Sequence, residues 1–276
     1  MISRAVNKTK QVGRHLRTLY MHPRTDVYIV SFPKSGRTWL RVLIGKTLCE
    51  TFSLPANIML DTYKITTAAR ILKTQFTHDN SSINDGWDYR RLSSDKSWYA
   101  EKKVIFLYRD IKDVLVSCYF QATKRVNKYS DNISAFIRSE KYGAKKVVTF
   151  YNIWDKNRMV PREFLLLRYE NLHKNPGEVL TQTMNFLGLT EVDDSVMDQA
   201  VEFASFRSMK SLEEGNFFKH KMLKPVSAGD SESYKVRKGV VGGYSSYLSE
   251  DDVRYIDQVI EELGCPFNGV GYDTLE

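Results

Sequence analysis

Three short stretches gather the residue types that hold phosphate-like anions. The first, residues 31–40, reads SFPKSGRTWL. An ammonium (Lys34), two hydroxyls (Ser35 and Thr38) and a guanidinium (Arg37) surround Gly36, and glycine permits a tight turn and close approach of backbone to ligand. The β-branched and aromatic run VYIVSF precedes it as a buried strand. Leu40, Leu43, Ile44, Thr47 and Leu48 follow at the spacing of one helix face. A strand-to-helix turn of this kind aims unpaired N–H groups and the positive end of the helix dipole at whatever fills it. It is not a Walker A loop, in which the lysine follows the last glycine; here Lys34 precedes Gly36.

The second stretch, YRDIKDVLVSCYF, repeats the theme. VIFLY reads as a fully buried strand, Arg109 sits at its end, and Ser117 lies in the helix that follows. The five-donor fork of an arginine suits a phosphate, and an ion pair with Asp110 or Asp113 competes for the same side chain. The third stretch, VRKGVVGG, places Arg237 and Lys238 before Gly239, as a segment able to close over an anion.

These residues need a scaffold. FLLLRYE reads as a third buried strand, Val147, Val148, Tyr151 and Trp154 mark a helix, and Pro176 and Gly188 bracket another. The last helix opens on a Ser249–Asp252 capping box and stops at Gly264. Apolar strands alternating with amphipathic helices predict an α/β fold: a single domain over residues 26–276, a parallel sheet flanked by helices. Ligands of such sheets bind beyond the carboxyl ends of the strands. Residues 1–25 form a basic N-terminal extension with Arg4, Lys8, Lys10, Arg14, Arg17 and Arg24. Residues 79–101 and 211–247 are irregular and of a length usual for functional lids. Their aromatics, Trp87, Tyr89, Trp98, Tyr99, Phe217 and Phe218, predict a partly apolar, lidded pocket.

The 276 residues are 42% apolar and 27% charged, enough apolar content for a substantial core. No apolar run reaches the ~18 residues of a membrane span, and the basic N-terminus has no apolar signal core. Cys49, Cys118 and Cys265 are too dispersed for a disulfide framework or a cysteine zinc site, which fits a reducing cytoplasm. The 41 Lys and Arg exceed the 33 Asp and Glu, a net charge of +8 that draws polyanions, nucleic acid or anionic lipid alike.

Taken together, the three stretches resemble the sulfotransferase family that uses 3′-phosphoadenosine 5′-phosphosulfate (PAPS). FPKSGRTWL is similar to its phosphosulfate loop PKSGxTW, YRDIKDVLVSCYF to its 3′-phosphate segment YRDPKDVxVSxYxF, and RKGVVGG to its RKGxxGDW segment. LLLRYENL and FASFRSMK fall where that family has LxxxYEDL and a TSFxxM-like stretch, so the likeness spans most of the chain.

The resemblance implies a P-loop-like phosphosulfate-binding loop formed by Lys34, Ser35, Gly36, Arg37, Thr38 and Trp39. Arg109 and Ser117 would hold the 3′-phosphate, with Arg237, Lys238 and Gly239 closing over it. Tyr169, Ser205 and Phe206 would contact adenine or ribose. His78, in KTQFTHDN, falls where the family carries its general base, and Lys34 would neutralise charge on the leaving phosphate oxygen. The implied co-substrate is PAPS, its product adenosine 3′,5′-bisphosphate (PAP), with no metal. The implied partner is a small-molecule acceptor, hydroxyl or amine, with no nucleic acid and no membrane span. Four positions depart from the pattern: Phe76 replaces a lysine two residues before the histidine, Arg37 stands where threonine is common, and Gly243 and Tyr244 replace DW. Two other readings stay open: an ATP-dependent, kinase-like transferase, and a basic nucleic-acid-binding protein. Oligomeric state and acceptor identity are open too.

Overall fold

Strand β1 (Val27–Val30) is apolar at every position because it is buried on both faces of a sheet. In the computed structural model, which describes residues 24–224 and 230–267, β1 is followed by α1 (Arg37–Thr51) and α2 (Thr62–Ala68). Next come β2 (Thr74–Thr77), β3 (Lys103–Tyr108), α3 (Ile111–Phe120), α4 (Ile133–Arg138), α5 (Ala144–Lys156) and β4 (Glu163–Arg168). Helices α6 (Tyr169–Lys174), α7 (Pro176–Phe186), α8 (Asp194–Phe203), α9 (Phe206–Glu214) and α10 (Glu250–Leu263) complete the chain. The basic extension lies outside the described residues except for Arg24 and Thr25.

The four strands run in the order β2-β1-β3-β4, all parallel, with Val27 opposite both Thr74 and Lys103. The two-residue period of a strand then sorts the core into two layers. Val27, Ile29, Ile105, Leu107 and Leu167 pack against Leu40, Leu43 and Ile44 of α1 and Val179 and Leu180 of α7. Tyr28, Val30, Val104, Phe106 and Tyr108 face Val114 and Leu115 of α3, Val147, Val148, Tyr151 and Trp154 of α5, and Ile256 and Ile260 of α10. The capping box that opens α10 is present, Ser249 and Asp252 satisfying one another's backbone N–H groups.

Three local features differ from the reading of the sequence. Strand β2 carries one apolar side chain, Phe76, among Thr74, Gln75 and Thr77; as an edge strand it has little apolar pattern to display. The third predicted strand ends at Arg168, and Tyr169 opens α6 instead of continuing β4. The predicted aromatic lid is corrected: Tyr99 is in the core, edge-on to Tyr28 and Trp154, and Trp87, Trp98 and Phe217 face solvent. A buried polar cluster draws Tyr99 inward. Its hydroxyl and the Trp154 indole N–H both donate to Asp79, at 3.0 Å each, and Lys96 pairs with the same carboxylate at 2.7 Å. Phe217 and Phe218 pack on each other and on Phe203.

Candidate active site

Because all four strands point the same way, their carboxyl ends deliver side chains to one edge of the sheet. His78 follows β2, the loop 31–36 follows β1, Arg109 follows β3 and Tyr169 follows β4. These ends border a cavity of about 480 Å³.

The β1–α1 loop is held in a costly conformation. Lys34 has a left-handed backbone (φ 72°), which strains a residue with a side chain. Gly36 (φ 97°) caps α1, and a Cβ there would lie 2.5 Å from the Tyr169 ring, so only glycine fits. The Cys118 thiol of α3 donates to the Pro33 carbonyl at 3.4 Å and ties the loop to the next helix. Lys34, Gly36, Arg37, Thr38 and Trp39 line the cavity. Ser35 lies fully buried beneath them. Trp39 stands edge-on to Tyr169 and His173, with its indole N–H buried and unpaired.

Arg109 forms the ion pair expected to compete for its side chain and keeps one donor open. Nη2 pairs with Asp113 at 3.2 Å and donates to the Val240 carbonyl at 3.3 Å, while the guanidinium stacks 4.1 Å over the Tyr169 ring. Its Nε–H is buried without a partner, a donor left for a ligand. Asp113 also accepts from the backbone N–H groups of Gly242 and Tyr244, at 2.9 and 3.0 Å, and so clamps the glycine-rich segment onto α3. His173 Nε2 donates to the Gly239 carbonyl at 2.7 Å. A Cβ on Gly239 would lie 2.2 Å from Phe206, so Phe206 and this segment meet only through glycine.

Arg237 is held by Glu232 and the Tyr247 hydroxyl and stacks on Phe120; Lys238 is exposed and lies over Tyr247. Ser117, Arg237, Lys238, Gly239, Tyr169 and Phe206 all line the same cavity. Ser205 does not. Its hydroxyl accepts from the Ser208 N–H and caps α9, which fixes Phe206 at the helix start.

At the other end, His78 Nδ1 lies 2.9 Å from the Ser31 carbonyl. A carbonyl only accepts, so Nδ1 carries the proton and Nε2 keeps its lone pair. Burial, then the Arg37 charge, hold its pKa well below the usual histidine value.

Sequence reading missed several lining residues: Arg41, Asp113, His173, His220 and Lys235. Lys235 sits just before the third stretch, and buried Glu213 accepts the N–H groups of Lys235 and Val236 at 2.7 and 2.8 Å to place it. Asp113 was in view within the second stretch as a rival partner for Arg109. His173 and His220 carried no sequence signal.

The electrostatics are lopsided. Lys34, Arg37, Arg41, Arg109, Lys235, Arg237 and Lys238 line the cavity, against Asp113 as the single carboxylate among its described lining residues. Burial, with Arg125, Arg109 and Arg237 nearby, pushes the Lys34 ammonium down to about 8. Burial and the charge of Lys34 push Lys235 well below its ordinary value. A cavity built this way is completed by an anion.

Residues 24–264 match the sulfotransferase domain family. The chain belongs to that family. This sulfotransferase is 27% identical over 272 residues to flavonol 3-sulfotransferase of Flaveria bidentis, covering 91% of this chain and 85% of the relative. It is 29% identical over 297 residues to cytosolic sulfotransferase 9 of Arabidopsis thaliana, covering 90% and 80%. Among solved structures, mouse sulfotransferase SULT7A1 complexed with PAP superposes with a TM-score of 0.57 at 25% identity, covering 87% of this chain and 84% of that one. No helix among the described residues is long and apolar enough to cross a membrane, and none of their His, Cys, Asp and Glu form a group placed to hold a metal.

Proposed function

We propose that this sulfotransferase moves a sulfuryl group from PAPS to a hydroxyl or amine of a small-molecule acceptor, with His78 as the general base. The observation that carries the reading is the surplus of cations gathered from three sequence-distant segments around one cavity. A donor with phosphate at both ends of a nucleoside supplies the missing negative charge. The orphaned Nε–H of Arg109 and indole N–H of Trp39 fit such a ligand. Gly36 and Gly239 let the Tyr169 and Phe206 rings, which flank the base in this reading, approach the backbone closely.

By the family pattern, the loop from Lys34 to Trp39 holds the phosphosulfate end through Lys34, Gly36, Thr38 and Trp39, with Ser35 supporting it from below and Arg37 turned toward Phe76. Arg109 and Ser117 hold the 3′-phosphate, and Arg237, Lys238 and Gly239 cover it. Tyr169 and Phe206 flank the base; Ser205 acts through the helix cap that places Phe206. When bound, PAPS supplies a sulfuryl group carried on a phosphate leaving group. His78 Nε2 takes the acceptor's proton as the new bond to sulfur forms. Lys34 neutralises the charge left on the departing phosphate oxygen. Attacking and leaving oxygens are held roughly in line, so positioning and charge compensation carry the catalysis. The reading extends to the cytoplasm, supported by relatives named cytosolic and by three unpaired cysteines. The kinase-like alternative finds no support in the loop order, and the main support for nucleic-acid binding, the basic extension, lies almost wholly outside the described residues.

The test is incubation with sulfur-labelled PAPS and an acceptor library, read by mass spectrometry for acceptors that gain one sulfuryl group. Transfer of phosphate from ATP, with no sulfated product, would reverse the reading. At residue level, Arg109→Ala weakens PAP binding by ~10- to 100-fold, the value of a charged hydrogen bond. It also removes the preference for PAP over adenosine 5′-phosphate. Calorimetry with both nucleotides checks this; an unchanged preference would leave Arg109 as only the partner of Asp113.

A further inference from the structure

Helix α1 sorts its side chains between two ends of the cavity. Trp39 turns toward Tyr169 and His173, on the side assigned to the nucleotide. Arg37 and Arg41, one helical turn apart and therefore on a common face, turn the other way, toward Phe76 of β2. Their guanidinium carbons lie 5.9 and 4.2 Å from the Phe76 ring centre. Phe76 is two residues before His78, and the Arg37 charge acts directly on the His78 imidazole. Both arginines therefore stand at the end where the acceptor must meet its base.

Neither arginine has a counter-ion among the described residues. Arg41 is 6% exposed, and its Nη1 donates to the Met222 sulfur at 2.6 Å, a weak acceptor for a cation. Asp61 attracts Arg41 only from beyond ion-pair distance. What acts on Arg37 is burial and the like charge of Arg41. A buried guanidinium (Arg41) and a half-buried one (Arg37) held side by side with no carboxylate repel one another unless a ligand brings the negative charge. The nucleotide's phosphates already have Lys34, Arg109, Arg237 and Lys238.

We infer that the acceptor carries an oxyanion (carboxylate, sulfate or phosphate) received by the Arg37 guanidinium, with Arg41 behind it, beside the hydroxyl or amine presented to His78. This rests on the reading of His78 as the base end of the cavity. It gives a role to Arg37 where threonine is usual in the family's loop, and to the aromatic Phe76, whose face carries both guanidinium groups in place of the usual lysine.

The experiment separates this inference from the donor assignment by filling the nucleotide end first. Protein saturated with PAP, as shown by its thermal shift, is titrated calorimetrically with 4-hydroxybenzoate and with 4-hydroxybenzamide. Phenyl sulfate and phenyl phosphate are parallel arms that rank the oxyanions. The expected result is that at least one oxyanion binds ~10-fold or more tighter than the neutral amide, as a charged hydrogen bond predicts. Arg37→Gln, saturated with PAP at its own measured affinity, brings that oxyanion to the amide's level, and Arg41→Gln, saturated in the same way, produces a smaller loss. Equal binding of oxyanions and amide, including no binding of either, overturns the inference, as does a preference that survives Arg37→Gln. A protein that PAP fails to stabilise sinks the donor assignment, and the inference falls with it.

Discussion

Replacing His78 with alanine lowers kcat by the ~10²–10⁴-fold of a lost general base and leaves PAP affinity unchanged. The size follows from the role, and the separation follows from the geometry. His78 hangs from the end of β2 and donates through Nδ1 to the Ser31 backbone carbonyl, whereas the proposed phosphate contacts come from later residues of the β1–α1 loop, from Arg109 and Ser117 and from the glycine-rich segment. The next residue, Asp79, is locked by Tyr99, Trp154 and Lys96, so loss of the imidazole leaves the backbone around it braced. The pH profile supplies a second reading of the same residue. A base acts when neutral, so activity rises with pH through its pKa. In the free protein burial and Arg37 hold that pKa well below 6.5, so kcat/KM is level at neutral pH and falls only in more acid solution. Near-wild-type turnover by folded His78→Ala at saturating acceptor would remove His78 from the mechanism.

Lys34→Met costs ~10²–10³-fold in kcat, the loss expected when one preorganised group facing developing charge is deleted. It also weakens PAP binding and changes its pH dependence. In the free protein burial, and then neighbouring cations, push the ammonium from its ordinary 10.5 down to about 8. Bound phosphate favours the charged form, so binding raises this pKa and takes up a proton once the pH exceeds about 8. PAP affinity is therefore fully present below that pH and falls as pH rises through the window, by up to about tenfold per unit. Folding responds in the opposite sense. With the folded pKa below the unfolded one, the unfolded chain holds more protons across this interval, and the stability of the ligand-free protein rises with pH. Calorimetric affinities over a pH series check the binding half; in Lys34→Met this component of the slope disappears. An unaltered slope in the variant would show that other groups dominate the coupling.

Much of the centre of this molecule is legible in the residues. Strands β1 and β3 announce themselves because burial on both faces demands continuous apolar runs, and the glycines at 36 and 239 sit where rings approach the backbone. Helix α1 is readable from one apolar face, and α10 from its capping box. What was lost depends on tertiary context. Strand β2, four residues at the sheet edge, shows no periodicity long enough to read. The aromatics of residues 79–101 look like a lid until Asp79 is seen collecting the Tyr99 hydroxyl and the Trp154 indole from distant positions. Ser205 carries a motif-like context, yet a serine before a helix serves as a cap by its local hydrogen bonding. Lys235 and Arg41 could not be assigned in advance, because their place in the cavity depends on Glu213 and on the packing of α1 against β2.

The central claim is that segments following β1 and β3, with the glycine-rich segment, converge on one 3′-phosphorylated nucleotide. Equilibrium unfolding with and without PAP tests it most directly. At ~100 times its dissociation constant, PAP raises the unfolding free energy by about 2.7 kcal/mol, and magnesium-ATP at the same concentration raises it far less. Equal stabilisation by the two ligands, or none by PAP, would contradict the claim.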